Sequence, residues 1–61
     1  MTKVTIKQGG RVGVLSLETD GKWTMTVDGK GPGTTASYYT TEQVERITAT
    51  KRAAGAEVTV E

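Results

Sequence analysis

The side chains that could do acid–base chemistry in this chain are three carboxylates close together in sequence, Glu18, Asp20 and Asp28. Two carboxylates can act as general acid and general base when a cleft holds them together. Asp20 and Asp28 each precede a glycine, however, and that dipeptide is typical of turns. The spacing also lacks the alternating oxygen ligands and closing glutamate of a calcium loop. We therefore assign these residues to turns and predict neither a catalytic nor a metal site.

Nucleophilic catalysis lacks its usual components in this sequence. The chain has no histidine and no cysteine, so Ser16 and Ser37 have no imidazole base to activate them. The glycine-rich segment 29–35 places its lysine early and leads into an extended stretch. A P-loop instead ends in Gly-Lys-Ser/Thr and opens a helix. The sequence predicts a protein that is not an enzyme and that binds no cofactor.

A binding function would depend on the large apolar and aromatic side chains. Trp23 is the only tryptophan, and the favoured interpretation is a core anchor beside Met25. The alternative is an exposed anchor, because tryptophan is enriched at interface hot spots. Two adjacent tyrosines in an extended segment must point to opposite faces, so one of them is expected to be exposed. The candidate interface residues are Leu15, Leu17, Trp23, Tyr38 and Tyr39.

Nucleic-acid binding through a polar sheet face is an alternative function. Lysine and threonine alternate with apolar residues on two of the predicted strands, and such a face could contact phosphates. The net charge of +1 is too balanced to indicate a nucleic-acid partner by itself. Aromatic residues, which single-strand binders interleave with cations, are few. The candidate contacts are Lys3, Lys7, Arg11, Lys22, Thr24, Thr26 and Lys30.

The segment Gly21–Val27 is followed by a glycine-rich turn, an extended segment and a Thr-x-Glu helix start. This arrangement, over about residues 21–50, resembles the three-stranded-sheet-plus-helix DNA-binding domains of the AP2 and integrase arm-binding type. The resemblance implies DNA contact through the sheet, by Lys22, Thr24, Thr26 and Lys30. The chain departs from those domains in having few arginines on its strands and an additional strand at each end.

The length of the chain restricts the ways in which it can be stabilised. A chain of 61 residues forms one domain, spanning residues 1–61. A domain of this size buries only about 60% of the surface that its unfolded chain exposes. Disulfides are excluded because cysteine is absent, so self-association or a partner is the expected external support. No apolar run approaches a membrane span, and the start MTKVTIK does not look like a signal peptide, so a cytoplasmic location is expected.

Alternating apolar and polar residues, with turn signals between them, predict the secondary structure. A single helix is expected over Thr41–Ala54, after a capping box formed by Thr40 and Gln43. The predicted fold is α+β: an antiparallel-dominated sheet of four or five strands in the order 4-3-2-1-5, with one helix on one face. The predicted strands are Thr2–Lys7, Arg11–Glu18, Lys22–Asp28, a short edge strand Thr34–Tyr39, and Ala56–Glu61. The inward strand residues are Val4, Ile6, Trp23, Met25, Val27, Val58 and Val60.

The second predicted strand has an ambiguous pattern. Val12 and Val14 share one phase, whereas Leu15 and Leu17 share the other. One interpretation is a β-bulge between Val14 and Leu15 that resets the phase. The other is a strand with apolar residues on both faces, which needs a second covering layer that one helix cannot supply. Under this second interpretation another molecule covers the far face of the sheet.

Taken together, these observations predict a small non-enzymatic protein-binding module. A regulator or inhibitor that occludes a larger partner fits the absence of catalytic residues, and a homodimer fits the ambiguous second strand. The alternative is a nucleic-acid-binding domain that uses its Lys/Thr-rich sheet face. No membrane partner is expected.

Overall fold

The computed structural model describes residues 1–30 and 38–61. These residues form β1 (Lys3–Gln8), β2 (Arg11–Leu17), β3 (Trp23–Val27), α1 (Thr41–Ala53) and β4 (Glu57–Val60). Neighbouring strands are antiparallel, and their order in the sheet is β3-β2-β1-β4. Val44 of α1 packs on the sheet residues Val4, Ile6 and Leu15. The predicted α+β fold is confirmed.

The predicted edge strand Thr34–Tyr39 lies mostly outside the described residues, which omit 31–37. Its last residue, Tyr39, forms an antiparallel bridge with Trp23. Two backbone hydrogen bonds of 2.9 and 3.0 Å join the two residues. Tyr39 therefore lies against β3, at the edge of the sheet where the sequence predicted that strand.

The turn between β1 and β2 consists of Gly9 and Gly10, with φ of 60° and 78°. Two successive residues with positive φ are typical of a type I′ turn, whose twist matches that of a β-hairpin. Glycine reaches this conformation without the steric cost that a Cβ would add. The turn sets the pairing of Gln8 with Arg11, and from there the register of the whole hairpin.

The pairing of β2 excludes one of the two interpretations of its pattern. Its register is unbroken against β1, from Arg11 to Ser16, and against β3, from Gly13 to Leu17. A bulge between Val14 and Leu15 would interrupt this pairing, so the bulge interpretation is wrong. Leu15 therefore lies on the face covered by α1, and Val14 on the opposite face, which we call the open face.

The helix begins as the sequence predicts. The Thr40 Oγ1 accepts a hydrogen bond from the Gln43 backbone N–H at 3.2 Å, and the Gln43 Oε1 accepts one from the Thr40 N–H at 2.8 Å. This reciprocal pair is a capping box, which satisfies N–H groups that have no partner within the helix. After the helix, Gly55 has φ of 87°, the left-handed conformation that commonly ends helices.

Loss of the Thr40 hydroxyl tests the contribution of this cap. We expect Thr40→Ala to lower the free energy of unfolding by about 1 kcal/mol, because one helix N–H loses its acceptor. Urea denaturation followed by far-UV circular dichroism measures the change. Thr40→Ser keeps the oxygen and should stay close to the wild-type midpoint. Equal midpoints for the alanine and serine variants would contradict this role of the cap.

The core is small and lies between the sheet and the first half of the helix. Its fully covered members are Val4, Leu15, Trp23 and Val44, with Ile6 almost so. Met25, Tyr39, Ile47, Ala56 and Val58 pack around them and remain partly accessible. Two valines that the sequence places inward, Val27 and Val60, are 39% and 41% exposed. They lie on the helix-covered face of the sheet, but the helix does not reach them.

Candidate functional site

The path of the helix across the sheet creates the candidate site. At its start, the Trp23 indole Nε1 donates a hydrogen bond to the Thr41 Oγ1 at 3.0 Å, which places this end over the beginning of β3. At its end, the Gln8 Nε2 donates to the Ala54 carbonyl at 3.4 Å, over the end of β1. The beginning of β3 and the end of β1 are at opposite ends of the sheet. The helix thus runs diagonally and leaves two corners of this face uncovered.

One uncovered corner contains an apolar groove between the helix and the strands β2 and β3. Its volume is about 380 Å³, within the usual range for small binding pockets. We call it the corner groove. Val27 is its most accessible apolar residue, and Ile47 forms its wall on the helix side. The residues that line the corner groove are Ile6, Gln8, Arg11, Gly13, Met25, Val27, Ile47 and Lys51.

Gly13 forms the floor of the corner groove. It pairs with Ile6 on one side and with Val27 on the other, so all three positions face the helix side of the sheet. A Cβ added at Gly13 would meet only the Thr26 carbonyl oxygen, at 3.9 Å. The next two β2 positions on this face, Leu15 and Leu17, carry large side chains, and the absence of a side chain at Gly13 opens the space above the sheet. A glycine within a strand can mark a position where a ligand approaches the backbone closely.

Two cations border the corner groove, one on each wall. Arg11 begins β2 on the sheet side, and Lys51 is in the last turn of α1. None of the described residues that line the groove is a carboxylate. Asp28 follows β3 close by, but its Oδ1 accepts a hydrogen bond from the Val12 backbone N–H at 3.0 Å. The groove therefore combines an apolar floor with two lining cations, and the nearest carboxylate, Asp28, is held against the Val12 backbone outside the lining.

Filling the groove should stabilise the fold. We expect Gly13→Val to raise the free energy of unfolding by about 1 kcal/mol, because valine suits a strand and its methyl groups would cover Met25 and Val27. Urea denaturation compares it with Gly13→Ala, which should give a smaller gain because it adds only one methyl group. Destabilisation by both variants would show that the backbone at Gly13 does not accept a side chain.

The other uncovered corner includes Leu17 and Val60. Leu17 is 36% exposed there, and Val60 is accessible on the far side of β1. Leu17 was predicted as an interface residue, and the structure keeps it accessible. It lies at the opposite end of β2 from Arg11, so one small ligand could not contact both the corner groove and Leu17.

The other predicted interface residues do not form one surface. Leu15 and Trp23 have no exposed surface, so the structure places them in the core and they offer nothing to a partner. Tyr39 packs against the core, whereas Tyr38 is 57% exposed. The expectation that one tyrosine is inward and one outward is therefore correct. The Lys22 Nζ lies 5.5 Å from the centre of the Tyr38 ring, in a cation–π contact.

The residues predicted for nucleic-acid contact are divided between the two faces of the sheet. Thr24 and Thr26 belong to the open face together with Lys3 and Lys7, because these positions alternate with the core residues. Arg11 is on the helix side and borders the corner groove. Lys30 lies beyond the end of β3, where it bridges to Val27, and Lys22 is beside Tyr38. The seven side chains therefore do not converge on one surface.

Acidic residues offset the lysines of the open face. Lys7 is directly opposite Glu57 in the β1–β4 pairing, and Lys3 exchanges backbone hydrogen bonds with Glu61. Opposed residues of an antiparallel pair have neighbouring side chains on the same face. The positive charge that a phosphate backbone would require is therefore weakened where the sequence predicted it.

One residue in the sequence, Gly13, could have indicated the groove. Gly13 interrupts the apolar pattern of β2, and a glycine inside a strand can indicate missing packing on one face. Lys51 and Arg11, by contrast, are 40 positions apart, and nothing in their local sequence brings them together. Only the diagonal path of the helix places them at one groove.

Within residues 1–30 and 38–61, no helix is long and apolar enough to cross a membrane. The same residues contain no group of three or more acidic side chains placed to hold a metal ion. Comparison of the chain with protein-family models, with curated proteins and with solved structures gives no match. The function must therefore be argued from the geometry of the molecule itself.

Proposed function

We propose that this protein is a small, non-enzymatic protein-binding module of the cytoplasm, which regulates or inhibits a larger partner by occluding it. The corner groove is its principal contact. The observation that carries the proposal is an accessible apolar groove bordered by Arg11 and Lys51, with Val27 exposed inside it. An exposed apolar surface of this kind, with charged residues at its edge, is typical of a contact site for a partner.

The arrangement of apolar and charged side chains in the groove is like that of an interface hot spot. Binding energy at protein interfaces concentrates where a large side chain fills a well-formed pocket, surrounded by polar groups that exclude water. Ile6 and Gly13 supply a floor, Met25 and Ile47 supply walls, and the charged groups lie outside them. An apolar centre with a polar border is the usual arrangement of such a contact.

A differential capture experiment tests the proposal. Lysate of the source cells is passed over immobilised wild-type protein, over Gly13→Leu, which fills the groove, and over Thr26→Leu, which adds the same side chain to the open face. Each capture is repeated after nuclease treatment, and bound proteins are quantified by mass spectrometry. Circular dichroism confirms beforehand that both variants fold.

We expect one protein to be captured by the wild type and by Thr26→Leu, both before and after nuclease treatment. Its capture by Gly13→Leu should be at least about tenfold lower, equivalent to about 1.4 kcal/mol of binding energy. Equal capture by all three proteins would refute the groove as the contact. Loss of partners on nuclease treatment would favour nucleic-acid binding instead. Sedimentation velocity of the wild type and Gly13→Leu shows whether the partner is a second copy of the chain.

A further inference from the structure

We propose that the corner groove accepts an acidic amphipathic segment of a partner protein, in which one large apolar side chain is flanked by carboxylates. This inference rests on the proposed function and adds the chemistry of the partner. Two features of the groove carry it: the form of its apolar floor and the sign of the charges at its border.

The apolar part of the groove is short. Val27, Gly13 and Ile6 lie side by side across three strands, and Met25 is the next residue on β3 that faces the same way. Ile47 closes the helix side. A volume of about 380 Å³ is near the lower end for binding pockets. It suits a single large anchor side chain better than a row of anchors along an extended helix.

The two cations that line the groove lie on different sides of this anchor site. Arg11 stands on the sheet wall, and its planar guanidinium can bind a carboxylate through two parallel hydrogen bonds. Lys51 stands on the helix wall and can lay its alkyl stem along apolar surface while its amine reaches a second carboxylate. Both cations are exposed, so a partner can reach them.

The acidic side chains of the sheet strands and their turns do not line the groove. Glu57 belongs to the open face, opposite Lys7. The Glu18 Oε1 accepts a hydrogen bond from the Thr24 hydroxyl at 2.8 Å, and the Asp20 Oδ1 accepts one from the Lys22 backbone N–H at 3.0 Å. The carboxylate of Asp28 binds the Val12 N–H. Arg11 and Lys51 are the charged side chains among the described residues that line the groove, and an acidic segment would complement them.

A displayed library of random twelve-residue peptides is the probe. It is selected on the wild-type protein and counter-selected on Gly13→Leu, so that only peptides that need an open groove are retained. Retained peptides are sequenced, and the most enriched ones are synthesised with a fluorophore. Their Kd is measured by fluorescence anisotropy against the wild type, Gly13→Leu, Arg11→Ala, Lys51→Ala and the open-face control Lys3→Ala.

We expect the retained peptides to share one tryptophan, phenylalanine or leucine with aspartate or glutamate nearby. Binding should weaken about tenfold or more with Gly13→Leu, several-fold with Arg11→Ala or Lys51→Ala, and little with Lys3→Ala. Raising the salt concentration should also weaken it. Groove-dependent peptides that are neutral or basic would overturn this inference and leave the proposed function standing. Failure to recover any groove-dependent peptide would count against both.

Discussion

Leu15→Asp is expected to unfold the protein. Leu15 has no exposed surface and packs beneath Val44 in the core, so aspartate would bring a carboxylate where no partner exists. Loss of a buried leucine alone costs about 2–5 kcal/mol, before the cost of the charge is added. A core of this size supplies about 3–5 kcal/mol in total. Far-UV circular dichroism and one-dimensional proton NMR should show an unfolded chain.

Val14→Asp is the matched control for this prediction. Val14 is the adjacent residue of β2, but it faces the open side between Thr5 and Thr26. Aspartate is unfavourable in a strand, so we expect a loss of about 1 kcal/mol and a chain that still folds. If Leu15→Asp stayed folded and Val14→Asp did not, the assignment of the two faces of β2 would be reversed.

Trp23→Ala is expected to remove most of the stability of the fold. Trp23 is the largest fully buried side chain and lies between the helix start and the edge of the sheet. Truncation of a buried aromatic residue costs about 3–5 kcal/mol, which approaches the whole stability of a domain of this size. Thermal unfolding followed by circular dichroism should show a broad transition at much lower temperature, or none.

Two milder variants separate the parts of this contribution. Trp23→Phe keeps most of the ring but loses the N–H, whereas Thr41→Val keeps the indole and removes the acceptor of its 3.0 Å hydrogen bond. Each should cost about 1–2 kcal/mol, with a larger effect for Trp23→Phe because it also leaves a cavity. A Trp23→Ala variant no less stable than Trp23→Phe would show that the ring is not central to the core.

Most of the secondary structure could be predicted from short sequence patterns, because these patterns involve residues close together in the chain. The capping box of Thr40 and Gln43 is a spacing of three residues, and the helix begins where this spacing requires. The paired glycines of the first hairpin similarly determine a two-residue turn and the register after it. The pairing of the last strand with the first was also predicted, from the Thr/Val alternation that the two strands share, although the paired residues are far apart in the chain.

The candidate site was predicted less well. Leu15 was a candidate for a partner surface but is a core residue, because hydrophobicity alone does not distinguish a core side chain from an interface side chain. For Trp23 the favoured interpretation, a core anchor, is correct, and the exposed alternative is wrong. Val27 was expected in the core because its phase is that of Met25. It is accessible because the helix covers only part of the face, and alternation along a strand carries no information about where a helix crosses it.

The sequence by itself determined the element order, the turns and the start of the helix, because each depends on residues a few positions apart. It also determined the absence of histidine and cysteine chemistry. Only the tertiary structure decided that β2 is unbroken, that Val14 and Leu15 lie on opposite faces, and that Arg11 and Lys51 border one groove. The first two outcomes depend on the pairing of β2 with β1 and β3. The third depends on the diagonal path of the helix, whose two ends are held by the hydrogen bonds of Trp23 and Gln8 to residues far away in the chain.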